Sequence, residues 1–299
     1  MRKVFILVAF ILSAFLITGS YGGSGGSVAG TTWTQRNSGT SNYLSSVAYG
    51  NNTFVAVGWD GLILTSRDGV KWTRHNLGYT LNNITYGNNT FVAVGKSGTI
   101  LTSRDGVNWT QHNSGTISTL NGIAYGNNTF VAVGWGVILI SRDGVNWAQR
   151  DSGTSYGLNK ITYGNNTFVA VDFTGKIITS RDGVNWTERD SGMYNIGLND
   201  IAYGNNTFVA VGERGSILTS RDGVTWTDGD WGPDSDLYGV AYGNNTFVAV
   251  GESGTILTSR DGVKWTRHNL RTNRSLNDVA YGKNTFVIVG QRGIILTSP

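Results

Sequence analysis

The side chains able to do chemistry are few and scattered. There is no cysteine, so thiolate nucleophiles, disulfides and thiolate metal sites are excluded. His75, His112 and His268 are the only histidines, and all three fall at the same position of an internal repeat. They therefore stand too far apart to share a metal or form a triad. A charged group comprises Glu213, Arg214, Glu252 and Arg292, with Arg271 and Arg274 nearby in sequence. Arginines beside paired acids are what a hydrolase of acidic sugars requires, but nothing here fixes a nucleophilic tyrosine. Lys160, Asp200 and Asp278 interrupt an otherwise neutral repeat position, either as contacts for a polar ligand or as solvated charges. Trp59, Trp135, Phe173 and Trp231 stand where the repeat demands no aromatic, and Tyr238 opens a short apolar run. Such rings can stack on sugars or anchor a protein partner, or they can pack on one another. The glycine-rich stretches precede no helix, so dinucleotide and P-loop readings fail. No catalytic residue, cofactor or metal is expected.

The elements that must position these residues come from the repeat. Tyr-Gly-x-Asn-Thr-Phe begins at Tyr49, Tyr86, Tyr125, Tyr163, Tyr203, Tyr242 and Tyr281, at intervals of 37 to 40 residues. A period in this range signals a solenoid or a propeller, and strand content decides between them. In the second copy, Leu81–Tyr86 and Thr90–Gly95 are β-rich runs separated by Gly87-Asn88-Asn89. A turn at Lys96-Ser97-Gly98 leads into Thr99–Ser103, and the hairpin signal Asp105-Gly106 leads into Trp109–His112. Four antiparallel strands per copy make a propeller blade. The seventh copy stops at Leu296-Thr297-Ser298-Pro299, and its missing strand stands at the other end as Thr32–Asn37. The fold class predicted is all-β: a seven-bladed β-propeller over residues 31–299, closed by the N-terminal strand.

Ser-Arg-Asp-Gly-Val-x-Trp, at Ser66, Ser103, Ser141, Ser180, Ser220 and Ser259, resembles the Asp-box, or BNR repeat, of sialidase-like propellers. It is one residue shorter between Asp and Trp than the usual box. The whole repeat also resembles that of the seven-bladed photosystem II assembly-factor group. The resemblance implies a structural turn in which the aspartate accepts hydrogen bonds, and it leaves function open, because propellers host unrelated activities. Sialidases have six blades, which argues against the hydrolase reading.

Comparing the copies separates two faces. GNN and SRDG turns, nearly invariant, share one face. The turns and connections of the other face differ in every copy, and Trp59, Trp135, Phe173, Trp231, Glu213, Arg214, Glu252 and Arg292 all map there. At the N-terminus, Arg2 and Lys3 precede an apolar run, Val4–Ile17, too short to span a membrane. Residues 1–19 read as an export signal and 20–30 as a Gly/Ser-rich linker, giving a secreted or cell-surface protein without a transmembrane domain in its mature form. A net charge of +4 is too small to suggest a nucleic-acid partner. The function expected is a non-enzymatic binding module that takes a glycan or protein on its variable face. The alternatives are a scaffold or self-associating subunit of an extracellular polymer and, third, a sialidase-like hydrolase.

Overall fold

The computed structural model describes residues 30–151, 157–229, 232, 234–268, 270 and 272–299. The expected export signal, most of the linker, Trp231 and Arg271 lie outside the described residues. Seven four-stranded antiparallel sheets form the molecule, and six of them are continuous in sequence. In the second blade the inner strand Leu81–Gly87 is followed outward by Thr90–Gly95, Ile100–Ser103 and Thr110–His112. The seventh sheet is completed by Thr34–Arg36, which pairs antiparallel with Ile295–Ser298, Thr34 opposite Thr297 and Arg36 opposite Ile295. The ring closes as the split repeat predicts.

The second strand of each blade holds the core. Phe91, Val92, Ala93 and Val94 are all fully buried, because each face of the strand meets a neighbouring blade. Phe91 and Ala93 join Val55 and Val57 of the first blade, while Val92 and Val94 join Phe130 and Ala132 of the third. Burying a phenylalanine in this way is worth about 1.5–3 kcal/mol, and the arrangement recurs at every blade. Glycine is required at the blade joints. A Cβ on Gly50 would lie 2.0 Å from the ring of Tyr86, one on Gly87 2.1 Å from that of Tyr125, and one on Gly282 2.1 Å from that of Tyr49.

Both turns of the invariant face are specified locally. Asn51 and Asn52 take φ of 44° and 55°, the left-handed pair that a tight β-hairpin turn demands. In the Ser103–Trp109 turn, the Gly106 N–H donates to Ser103 Oγ at 2.8 Å. The Val107 and Asn108 N–H groups both donate to Asp105 Oδ1 at 2.8 Å. The Trp109 indole N–H donates to the Gly106 carbonyl at 2.9 Å. The Asn108 N–H first, with that of Val107, holds the Asp105 carboxyl well below the usual carboxylate range. The serine, aspartate, glycine and tryptophan of this motif thus serve the turn itself.

Candidate functional site: an axial basin on the variable face

Each inner strand carries a bulge at the same place. In the second blade the register shifts between Leu81 and Asn83, leaving Asn82 unpaired in the ladder. The corresponding residues are Ser45, Asn121, Asn159, Asn199, Tyr238 and Asn277. All seven line an axial basin of about 570 Å³, together with Tyr43, Trp59, Lys160, Phe173 and Gln291.

The bulged side chains also staple the ring. Asn82, Asn121, Asn159 and Asn199 donate through Nδ2 to the carbonyls of Leu120, Leu158, Leu198 and Leu237 in the next blade, at 2.8–3.0 Å. Asn277 reaches Leu44 across the closure at 2.7 Å, and the Ser45 hydroxyl donates to the Leu81 carbonyl at 2.6 Å. At the sixth blade Tyr238 offers a phenol where an amide would continue the series, and burial pushes that phenol up from its ordinary pKa. This ring was missed in the sequence, although its signal was present. The run Leu-Asn recurs at the head of five inner strands, a polar residue placed regularly inside an apolar segment.

One residue further along is the ring that includes Lys160, Asp200 and Asp278. The two aspartates are not solvated charges. Asp200 and Asp278 are each only 6 % exposed. Asp278 Oδ2 accepts from the Ser46 hydroxyl at 2.5 Å and from the Val47 N–H at 3.1 Å, both in the first blade. Asp200 Oδ2 accepts from the Val240 N–H at 2.8 Å. Asn83 fills the same role in the second blade, accepting from the Ile123 N–H at 3.0 Å while its Nδ2 donates to Ser46 Oγ at 2.9 Å. The inner strands converge so closely that each side chain meets the free N–H of the next blade. Burial pushes the Asp200 carboxyl up to about 7, against the pull of Lys160. Lys160 itself is partly exposed and lines the basin.

Two aromatic pairs flank the basin. Tyr43 and Trp59 stack with centroids 4.4 Å apart, and Lys96 Nζ lies 5.6 Å from the Trp59 ring. Trp135 and Phe173 stack at 5.4 Å, with the indole so close to Gly157 that a Cβ there would sit 2.8 Å from it. The rings do pack on one another, yet Trp59, Trp135 and Phe173 remain 46, 56 and 44 % exposed. Of the residues singled out in the sequence, Trp59, Lys160, Phe173 and Tyr238 thus converge, with Trp135 behind Phe173. Glu213, Arg214, Glu252 and Arg292 occupy the turns after the second strands of blades five to seven and do not line the basin. The Glu213 carboxylate accepts from the Gly197 N–H at 3.2 Å, and the Arg214 N–H donates to Asp236 Oδ1 at 2.9 Å. The three histidines each bond a third-strand threonine, as His112 does Thr102 at 2.7 Å. Among the described residues, no helix is long and apolar enough to cross a membrane.

Fold and basin together define the class: a circularly closed seven-bladed β-propeller, an architecture that commonly serves as a binding or interaction module. No protein-family model and no curated protein sequence matches the chain. Among solved structures it is similar to YCF48 from Cyanidioschyzon merolae, at 18% identity and a TM-score of 0.71 over 89% of this chain and 98% of that one. It is likewise similar to YCF48 bound to D1 peptide, at 18% identity and 0.73 over 91% and 96%. Virginiamycin B lyase from Staphylococcus aureus matches at 12% identity and 0.79 over 89% and 98%. At such identities the likeness is one of fold, shared by an assembly factor and an enzyme alike.

Proposed function

We propose that the protein is an exported, non-catalytic binding module that engages a polypeptide segment at the axial basin. The observation carrying this reading is the pair of half-exposed aromatic stacks, Tyr43–Trp59 and Trp135–Phe173, at the rim of that basin. Rigid, paired rings offer large contact area at little cost in side-chain entropy, which is the chemistry of protein-binding hot spots. The basin floor supports the same view. Each of its asparagines commits one Nδ2 hydrogen to the next blade, and the Oδ1 atoms of those amides remain, with Tyr43, Lys160, Tyr238 and Gln291, as polar partners for a peptide main chain. The similar structure of YCF48 bound to D1 peptide shows that a propeller of this type can hold a peptide. Export is supported by the charged and apolar character of residues 1–19.

The test is selection of a random peptide library against the full chain, with the Trp59→Ala, Phe173→Ala double variant as counter-target. Peptides that bind the parent protein and lose about tenfold or more in the variant support the reading, a loss of the size expected for truncated aromatic anchors. Equal binding to both proteins would remove it. Glycan-array hits abolished by the same substitutions would reassign the basin to sugars, and large self-assembly without either ligand would favour a structural role.

A further inference from the structure

The invariant face carries a second, repeated feature. Three grooves of about 490, 370 and 420 Å³ lie between blades one and two, two and three, and three and four, built from equivalent residues. Each brings the arginine of one Ser-Arg-Asp-Gly-Val turn beside the valine of the next: Arg67 with Val107, Arg104 with Val145, and Arg142 with Val184. By the repeat, Arg181 with Val224 and Arg221 with Val263 complete five equivalent grooves.

These two side chains are the ones the turn does not use. The main-chain carbonyls of Arg67, Arg104, Arg221 and Arg260 accept hydrogen bonds from neighbouring turns. None of the six guanidinium groups, however, is ion-paired or hydrogen-bonded to another described residue, and all six are exposed. The six valines are 37–44 % exposed, although the turn needs only their N–H. The next position has drifted, with Lys71, Asn108, Asn146, Asn185, Thr225 and Lys264 following the valine, even though the three asparagines donate to the aspartate of their turn. Arginine and valine are unchanged in all six turns. The turns of this face carry nine cations, the six arginines with Lys71, Lys264 and Lys283, against six aspartates. Those aspartates are already engaged by N–H groups of their own turns.

We infer that the invariant face is a multivalent site for an acidic polysaccharide, with one carboxylated sugar seated in each inter-blade groove. The guanidinium fork takes a carboxylate through two parallel N–H···O bonds. The valine of the next blade lies under the C–H face of the ring, and in the first groove the Thr73 hydroxyl meets those of the sugar, while Thr53 and Thr65 are bonded to Asn51 and His75. Three such grooves in successive blades, with two more implied by the repeat, suit a polymer with one acid group per repeating unit. They do not suit a bilayer, because this face presents half-exposed valines rather than projecting aromatic rings. The inference is independent of the basin on the opposite face.

The test uses the full chain with polygalacturonate as probe, measured by titration calorimetry at low and near-physiological salt. Fully methyl-esterified polymer, phosphatidylglycerol vesicles and polyphosphate serve as comparisons. Binding of polygalacturonate, weakened by salt and absent with the ester, is expected. Arg142→Gln alone should cost a few-fold, whereas Arg104→Gln, Arg142→Gln and Arg181→Gln together should cost about 100-fold through lost avidity. Trp59→Ala should change nothing. An unaltered melting temperature shows that the triple variant is folded. Should it not fold, replacement of the same three arginines by lysine, which keeps the charge and loses the fork, must still weaken binding. No binding, equal binding of the ester, vesicles or polyphosphate, or full affinity in the arginine variants would overturn the inference.

Discussion

Asp200→Asn should make the protein more stable above neutrality and less stable in acid. In the native ring the Asp200 carboxyl is removed from water, and this burial, with Lys160 opposing it and Asp278 adding to it, pushes it up to about 7. In the unfolded chain an aspartate titrates near 3.9. Below about pH 4 both states hold the proton, so the site then adds no pH dependence. As pH rises towards 7 the native state retains a proton that the unfolded state releases, and stability falls. Above the folded value, the full cost of an ionised buried carboxylate remains, with a ceiling of about 4 kcal/mol. Asparagine is already accommodated at this ring position, where Asn83 accepts the Ile123 N–H just as Asp200 accepts that of Val240. Asn83 places its amide on Ser46, however, and the residue preceding Asp200 around the ring is Lys160, which offers no acceptor. Leaving that amide without a good partner costs about 1 kcal/mol. The variant should therefore be about 1 kcal/mol less stable near pH 4 and about 3 kcal/mol more stable near pH 8.5. Urea unfolding followed by tryptophan fluorescence, with equal m-values for the two proteins, measures the difference at each pH. A gap of the same sign and size at both ends would refute the reasoning.

Three further outcomes follow from the joints between blades. Tyr238→Asn restores an amide able to reach the Leu276 carbonyl and should stabilise by about 1 kcal/mol, read as a rise of about 2 °C in Tm. Gly87→Ala places a methyl 2.1 Å from the ring of Tyr125 and should destabilise by about 3 kcal/mol or more, visible as lost soluble expression or a lowered urea midpoint. Removing residues 30–36 strips the strand that pairs with Ile295–Ser298 and exposes a sheet edge, so light scattering after gel filtration should find oligomers where the parent chain gives one defined species.

The architecture was legible because the chain writes it seven times. Tyr-Gly-x-Asn-Thr-Phe counts the blades, and the stray Thr-Trp-Thr-Gln-Arg at residues 32–36 can only be the strand that Leu296–Pro299 lacks. That Trp59 and Phe173 share a face was legible for a related reason, since both stand in turns where the copies differ. The bulge at Asn82 and its six counterparts was not, because a bulge belongs to the pairing of two strands, and the recurring Leu-Asn marks its position without showing that the ladder skips it. The burial of Asp200 and Asp278 was not legible, because a charge in an axial channel suggests water or a ligand. What decides their state is the narrowness of the ring there, which brings the N–H groups of Val240 and Val47 within reach. Adjacency in sequence hides that Glu213 turns to Gly197 while Arg214 holds the turn with φ of 54°.

The bulged residues have an evolutionary corollary. Each of the seven stands outside the ladder hydrogen bonds of its own blade, so its identity can change without shifting the register of any strand. Tyr238 already records one such change. Drift in this family of positions would rewrite the floor of the basin one side chain at a time, as separate and roughly additive choices, while the wheel that carries them stays the same. The same seven codons are the natural choice for a combinatorial library aimed at giving this scaffold a new target.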